Sequence, residues 1–521
     1  MDSRAPQASA GMYQGSAATA APAELPPSGP VYKVYKRRFW GLAQLVLLNI
    51  VVSWDWLTFS SISTTAAEHF RVSESAINWM STGYLFAFCV ASPVVIVTLN
   101  KGGPKPAIIT TSTLLLAGNW IRYAGTKARG GIFGVAMFGQ ILIGLAQPFC
   151  LSAPTRYSDL WFSDQGRTSA TAVATLANPL GAALGELIDS FWATKASEVP
   201  NMVLYISVIV SLLLPQIPPH IDRPSQAGHN MSTHLLTTQK ATIAALPSFF
   251  IPARPPTPPS ASSASTNAST PLLPAITQLL RTLEFYLILI PFSIYVGFFN
   301  SVSSLLNQIL EPYSYTETEA GIAGGLLIIV GLIASAIISP LTDRYKQYLA
   351  TIRILVPIVA ITYIALIFAP PSPAGIAPSY VVCSLLGASS FALLPVVLEY
   401  LVEITYPFSP EIGSTICWTG GQLLGAIFIL AQDALKAGED ASPPVNMQNA
   451  LIFSAVVAGV AAPWPLCIGC FGRDVRRRRL DVDRGVELGQ EANEVQGNDE
   501  ERRAGEDDKK GLFGLSVSWR K

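Results

Sequence analysis

Twelve apolar blocks limit what this chain of 521 residues can fold into. Each is roughly 20 residues long, enough for a helix to cross about 30 Å of hydrocarbon. Six blocks precede a long polar stretch and six follow it. This pattern predicts an all-α integral membrane protein with twelve transmembrane helices, arranged as two six-helix bundles with pseudo-twofold symmetry. The blocks run at about 39–64, 76–99, 106–124, 132–153, 168–192, 200–217, 283–310, 319–341, 350–369, 378–402, 412–434 and 449–471.

The composition agrees with a membrane protein. Half of the residues are hydrophobic and 13% are charged, whereas soluble globular proteins have about twice that charged fraction. The formal net charge is zero, so the composition gives no indication of a nucleic-acid partner. We expect the lipid bilayer and a small-molecule solute as partners, no nucleic acid, and a monomeric protein.

The polar segments divide the chain into five parts. The N-terminal segment is rich in small residues and proline, and the central stretch contains RPPTPP and SASSASTNAST. Such compositions favour disorder over a packed domain. We predict a disordered tail at 1–32, a first bundle at 33–217, a disordered cytoplasmic linker at 218–280, a second bundle at 281–471 and a charged, disordered tail at 472–521.

Lysine and arginine residues in the short loops predict the orientation, because they are enriched on the cytoplasmic side of membranes. One side collects most of them, including those before the first block and after the last one. The other side has fewer, among them Arg122 and Lys127. Both termini are therefore predicted to be cytoplasmic. The sequence leaves open whether the host is the plasma membrane or a vacuolar or other endomembrane.

Polar residues recur inside the apolar blocks at helical spacing. Asn49, Ser53, Trp56, Ser60 and Ser63 are 4, 3, 4 and 3 residues apart, which places them on one face of the first helix. Two interpretations stay open, namely hydrogen bonds between packed helices and a polar-lined solute path. Their recurrence in both halves favours the path. Further faces are Gln140, Gly144 and Gln147, then Asn300, Ser304 and Asn307, then Trp418 and Gln422.

No catalytic motif stands out. The sequence has no GxSxG, HExxH or P-loop pattern. Three of the four histidines, His220, His229 and His234, lie in the predicted linker. Cys467 and Cys470 have no second ligand pair nearby. We therefore predict that the protein is not an enzyme and has neither a cofactor nor a metal site.

Five sequence strings carry a resemblance to a known family. They are WDWLTFSSIS, GQILIGLAQPFCLSAPTRYSDLWF, SVSSLLNQIL, LEYLVEITYP and GQLLGAIFILAQ. The chain resembles the major facilitator superfamily and, within it, the feline leukaemia virus subgroup C receptor-related group of choline, ethanolamine and, as earlier proposed, haem transporters. The resemblance implies alternating access, in which two six-helix bundles rock about a central site.

The resemblance also implies solute contacts. Trp56 matches a first-helix tryptophan of an aromatic cage for a quaternary ammonium group, and Gln147 and Gln422 match glutamines near the substrate. The cage tyrosine of the second half is replaced, with Asn300 at or beside its position. Asn307 lies on the same polar helix face and completes the predicted substrate-binding set. Aromatic residues that could replace the tyrosine are Tyr295, Phe298 and Phe299.

Asp55 and Glu186 are candidates for proton or cation coupling. Both acids lie in apolar blocks, where a charge at the bilayer centre costs about 2.5–3.5 kcal/mol. Three roles stay open for Asp55. It could pair with a neighbouring helix, supply negative charge to a cation beside Trp56, or titrate as a proton carrier. Glu186 is the next candidate for proton coupling.

Two pairs of charged residues are candidate gates. Asp343 and Arg344 lie in PLTDRYKQY, which resembles the facilitator loop signature and could hold one gate closed. A weak, solvated loop pair is the alternative. Glu399 and Glu403 are one helical turn apart near the predicted cytoplasmic end of the tenth helix. The resembling family has acids there, which implies a structural or gating role.

The expected function is secondary transport of a small organic solute through a central cavity. The resemblance favours a choline- or ethanolamine-like amine. Haem or another amphipathic solute carried by the same fold is one alternative. A membrane receptor or sensor that does not transport is the other.

Overall fold

The computed structural model describes residues 33–213, 254–260, 272–345, 347–405 and 410–468. This part of the chain is helical and contains no strand. The predicted tails at 1–32 and 472–521, and most of the predicted linker, lie outside the described residues.

Twelve of the described helices correspond to the twelve predicted blocks, and they are labelled in chain order. Ten of them are long and apolar enough to cross a membrane, whereas α3 and α6 do not meet that measure. Their bounds are α1 (Arg38–Leu57), α2 (Glu74–Val97), α3 (Pro104–Lys127), α4 (Phe133–Leu151), α5 (Asp164–Leu184), α6 (Val199–Leu213), α7 (Leu283–Leu310), α8 (Glu317–Tyr345), α9 (Tyr348–Phe368), α10 (Ala377–Thr405), α11 (Pro410–Ala434) and α12 (Gln448–Ala461).

Four spans of the first half contain an interruption, and one of these is the π-helical turn Thr98–Gly102 at the end of α2. The helix α1 ends at Leu57, and a short helix Ser63–Phe70 follows after a turn, although the sequence predicted one block to residue 64. The helix α4 is continued by Ala153–Trp161, and α5 by a π-helical turn at Gly185–Asp189. Such interruptions frequently occur at functional sites.

The helices form two bundles, α1–α6 and α7–α12. Within them, α1 packs on α5, α3 on α4, α7 on α11 and α8 on α10. The bundles meet where α2 contacts α11 and where α5 contacts α8. Glycine permits the closest approaches. A Cβ atom at Gly387 of α10 would overlap the carbonyl oxygen of Leu327 in α8, so only glycine fits there.

In this twelve-helix fold, α1 begins and α12 ends on the same face of the molecule. We call this face the terminal side and the opposite face the distal side. Residues 254–260 belong to the terminal side, because Tyr35 Oη lies 3.1 Å from Thr257 Oγ1 and Arg167 donates to Ser260 Oγ at 2.8 Å.

The prediction of a disordered linker at 218–280 is wrong in part. Residues 254–260 contact the first bundle, and Leu272–Leu279 is a helix. Ala275 and Leu279 of this helix are buried in the same apolar cluster as Phe285 of α7. The proline and serine content of residues 218–280 therefore led to an overestimate of the disordered part.

Candidate solute-binding site

A cavity of about 90 Å³ lies between the two bundles. Four of its lining residues come from the first half, and the second half supplies the others. They are Trp56, Gln147, Asn178 and Pro179, then Ile288, Pro291, Phe292, Tyr295, Val296, Phe299, Asn300, Ile352, Val356, Val359, Ser390, Phe391, Leu393, Leu394, Val397, Trp418, Gln422, Pro465 and Ile468.

Six aromatic side chains form much of the cavity wall. Trp56 lies opposite Phe299 across the boundary between the halves, with ring centroids 6.2 Å apart. Phe299 meets Phe391 edge-on at 5.2 Å. Stacking against Tyr84, at 6.4 Å, supports the indole of Trp56 from within the first half. The aromatic residues that line the cavity are Trp56, Phe292, Tyr295, Phe299, Phe391 and Trp418.

The polar groups in the wall are four amides, the hydroxyls of Ser390 and Tyr295, and the indole N–H groups of Trp56 and Trp418. Asn300 Nδ2 donates to Gln422 Oε1 at 3.1 Å, which joins α7 to α11. Gln147 Oε1 and Trp56 Nε1 are buried and have no hydrogen-bond partner among the described residues. The described lining contains no Asp, Glu, Lys, Arg or His. The cavity therefore presents a polarisable, uncharged surface, in which Gln147 Oε1 can accept and Trp56 Nε1 can donate a hydrogen bond.

The cavity brings together most of the solute contacts predicted from sequence. Trp56, Gln147, Gln422 and Asn300 all line it. Tyr295 and Phe299 line it as well, whereas Phe298 points away and stacks on Phe428 at 4.3 Å. Asn307 does not line this cavity. It donates to Ser63 at the distal end of the first half, and its contact with solute stays a prediction.

Asp55 does not line the cavity. It points into the first bundle, where Arg122 Nη2 lies 2.6 Å from its Oδ1 atom and neither side chain is exposed. Asn119 Nδ2 donates to Asp55 Oδ2 at 2.5 Å. This geometry favours the pairing role among the three that the sequence left open. It also corrects the placement of Arg122, which is buried in α3 rather than in a loop.

The same cluster fixes the end of α1. Gln140 Nε2 donates to the carbonyl oxygens of Asp55 and Trp56 at 3.0 and 3.2 Å. Arg122 Nη1 donates to the carbonyl oxygen of Asp55 and to Gln140 Oε1, both at 2.9 Å. The last carbonyl groups of a helix have no partner within the helix. Here side chains of α3 and α4 satisfy two of them and hold the backbone at Trp56.

Glu186 lies in the π-helical turn of the fifth span and is also absent from the cavity lining. It is buried against Gly321 and Gly324 of α8, where a Cβ atom would crowd it. Nearby, Trp54 Nε1 donates to Asp189 Oδ1 at 3.0 Å. The side chain therefore sits at the contact between the two halves, away from the solute contacts.

Glu317 closes the distal side of the cavity. Its Oε1 atom accepts from the backbone N–H groups of Thr64 and Thr65 at 3.0 and 3.2 Å. These are among the first groups of the short helix Ser63–Phe70, whose N-terminus favours negative charge. Asn307 Nδ2 donates to Ser63 Oγ at 3.0 Å. A carboxylate of the second half thus caps a helix of the first.

Further distal contacts join α2 to the second half. Gln308 Nε2 donates to Asn78 Oδ1 at 2.8 Å, and Asn78 Nδ2 lies 3.1 Å from Asp433 Oδ1. Lys436 pairs with Glu74 at 3.1 Å. Sequence reasoning missed these residues, because each partner lies hundreds of positions away in the other half.

Polar contacts also join the halves on the terminal side. Glu411, at the start of α11, is fully buried and lies 3.8 Å from the Nε atom of Arg156. Asn100 Nδ2 donates to Glu411 Oε1 at 3.3 Å. Thr155 Oγ1 lies 3.0 Å from Ser414 Oγ. The halves are therefore in contact on both sides of the cavity.

The predicted gating residues occupy other places. Glu399 and Glu403 are buried in α10, and neither lines the cavity. Arg344 is exposed. The side chain of Asp343 lies outside the described part of the structure. Their gating role stays a prediction, whereas Arg156 and Glu411 lie directly between the halves.

Comparison with protein families decides what kind of protein this is. The model of the Major Facilitator Superfamily matches residues 45–429. The chain belongs to the Major Facilitator Superfamily. The crystal structure of the superfamily transporter FucP in the outward conformation has the same fold, with a TM-score of 0.56 at 11% identity, covering 82% of this chain and 99% of that one.

Relatives place this facilitator within one group of the superfamily. Choline/ethanolamine transporter FLVCR1 of Felis catus is 30% identical, covering 78% of this chain and 69% of the relative. Choline/ethanolamine transporter FLVCR2 of Homo sapiens is 26% identical, covering 78% of this chain and 74% of the relative. Solute carrier family 49 member A3 of Danio rerio is 28% identical, covering 91% of this chain and 96% of the relative. The predicted family and the twelve-helix fold are confirmed, and the facilitator is a multi-pass membrane transporter.

Proposed function

We propose that this transporter carries a small organic cation of the choline or ethanolamine kind through the cavity by alternating access. The observation that carries the proposal is the wall itself. Six aromatic rings from both halves surround amide groups, and the described lining has no charged side chain. The names of the relatives FLVCR1 and FLVCR2 support the same solutes.

The physical chemistry of the wall suits a quaternary ammonium group. Such a group cannot donate a hydrogen bond and gains from the negative face of an aromatic ring, by about 2 kcal/mol or more when it is dehydrated. Trp56 and Phe299 approach each other across the boundary between the halves, so a cation beside this pair would contact both rings. The free oxygen of Gln147 can accept a hydrogen bond from a hydroxyl or ammonium group.

Uptake of radiolabelled choline by proteoliposomes tests the proposal. We expect Trp56→Ala to lower uptake efficiency by about 30-fold, the loss that corresponds to about 2 kcal/mol of cation–π energy. Trp40→Ala is the matched control, since Trp40 lies on the same helix with 54% of its surface exposed. Normal choline uptake by the Trp56 variant would contradict the assigned site.

The same preparation separates the alternative functions. A receptor or sensor would bind choline without accumulating it inside the vesicles. A haem carrier would take up haem and show no choline uptake. No histidine or cysteine is among the described lining residues, so the usual iron ligands are missing from this cavity.

A further inference from the structure

Two buried acids outside the cavity lining lie near the distal end of the fifth span. Glu186 and Asp189 belong to the π-helical turn Gly185–Asp189, and neither exposes more than 2% of its surface. Asp189 Oδ1 accepts from Trp54 Nε1. The Oδ2 atom of Asp189 and the Oε1 atom of Glu186 have no hydrogen-bond partner among the described residues. The turn therefore holds two carboxyl groups, each with an unsatisfied oxygen.

No positive charge balances these acids directly. None of the described lysine, arginine and histidine side chains forms an ion pair with either of them. The charges of Asp55 and Arg122 reach Asp189 from α1 and α3, but these two residues are paired with each other. Cys383 of α10 is a further titratable group close to Glu186. The surroundings of Glu186 thus supply no counter-ion.

Two neighbouring carboxylates are unfavourable in such surroundings. A charge that is buried without a partner destabilises the folded protein, and the bilayer interior adds to this cost. A second like charge nearby repels the first, so two carboxyl groups that share a site retain a proton between them. A bound proton removes this repulsion and requires no extra room.

The acids also lie where the two halves meet. A Cβ atom at Gly324 of α8 would lie 3.0 Å from Glu186 Cδ, and one at Gly321 would lie 2.5 Å from the carbonyl oxygen of Glu186. The two glycines therefore let α8 pack directly on the residue and keep water away from its carboxyl group. Alternating access requires the halves to part and to meet again. Parting along this contact would expose Glu186 to water, which solvates the ionised form.

We infer that Glu186, supported by Asp189, is a proton-binding site that links protonation to the contact between α5 and α8. When the contact closes, a carboxylate oxygen takes up a proton from the aqueous phase on the distal side, and opening releases it. Because the closed form binds the proton, a rise in pH favours opening and opposes closing. The inference goes beyond the proposed solute, since it depends on the movement of the halves and not on what the cavity holds.

Infrared spectroscopy on the full chain in lipid nanodiscs tests for the proton directly. A protonated carboxyl group has a carbonyl stretch that an ionised one lacks. A disulfide between Asn78→Cys and Gln308→Cys would hold the distal side closed, because these side chains meet there. In the bridged protein at neutral pH we expect this band, and Glu186→Gln should weaken it. A bridged protein without the band would overturn the inference, whether or not the Glu186 variant folds.

The matched control is Glu439→Gln, which changes an exposed acid in the distal connection between α11 and α12. It should leave the infrared band unchanged. An equal loss of the band in both variants would show that the band does not report Glu186.

The pH dependence of choline uptake by proteoliposomes is the second readout. One proton taken up on closing changes the balance between the forms by about tenfold for each pH unit. We expect wild-type uptake to fall by up to this factor per unit as pH rises, and uptake by Glu186→Gln to be independent of pH. In Asp189→Asn the fall should move to lower pH, because Glu186 loses a like-charged neighbour. Glu439→Gln should follow the wild type.

The outcomes separate the inference from the proposed function. Identical pH profiles of Glu186→Gln and the wild type would overturn the proton site. Uptake that depends on sodium at constant pH, and loses this dependence in Glu186→Gln, would assign the acids to a metal cation instead. If choline is not taken up at all, the proposed solute is refuted, and the infrared comparison alone decides on the proton site.

Discussion

At the scale of single residues, Asp55 and Arg122 stand out, because burying a charged side chain costs free energy. Both are fully buried, and their charges face each other at 2.6 Å inside a membrane-spanning bundle. Removing one member of such a pair leaves an uncompensated charge, which costs about 3–5 kcal/mol, whereas removing both costs less. Asn119 and Gln140 supply further hydrogen bonds to the pair. The pair therefore stabilises the bundle that carries Trp56.

A double-mutant cycle tests this role. We expect Arg122→Gln and Asp55→Asn each to destabilise the protein by about 3–5 kcal/mol, and the double variant to lose less than the sum. Thermal unfolding in nanodiscs measures the differences. Additive losses would show that the two side chains act independently.

The sequence was informative about single residues only where spacing or resemblance singled them out. Trp56, Gln147 and Gln422 share faces with other polar residues and match a family pattern, and all three line the cavity. The partner of Asp55 could not be found this way. Arg122 is 67 positions away, and hydropathy assigns a lone arginine to a loop because it does not register long-range pairing.

At the scale of helices, close approach depends on particular glycines. A Cβ at Gly387 would meet backbone atoms of Leu327, which cannot move like a flexible side chain. Overpacking of this kind typically costs about 1–3 kcal/mol. We expect Gly387→Ala to lower the midpoint of thermal unfolding. Gly459→Ala in α12 is the control, because open space surrounds Gly459. An unchanged unfolding midpoint in the Gly387 variant would contradict the tight contact.

Helix ends were the least predictable elements. The apolar block at 39–64 does not show where α1 stops, because the Ser and Thr residues that follow Leu57 also occur inside apolar helices. The stop depends on Gln140 and Arg122, which bind the last carbonyl groups. The start of the next short helix depends on Glu317 from the other half. Both causes are tertiary contacts, which hydropathy does not detect.

At the scale of the whole molecule, contacts on both sides of the cavity are candidate gates. Thr155 and Ser414 meet on the terminal side, and Asn78 and Gln308 on the distal side. We expect a disulfide between Thr155→Cys and Ser414→Cys to block solute uptake, and one between Asn78→Cys and Gln308→Cys to block it equally. Reduction should restore transport in both. Normal uptake with either bridge intact would contradict alternating access in this protein.

Two buried atoms of the cavity wall have a consequence for the choice of solute. Gln147 Oε1 and Trp56 Nε1 have no hydrogen-bond partner among the described residues. A buried polar atom that stays unsatisfied costs about 1–3 kcal/mol. We expect a solute with a hydroxyl or ammonium donor to offset part of this cost at Gln147, whereas a purely apolar solute of the same size would not. A single amide oxygen would thus add a chemical criterion to the one set by the aromatic walls.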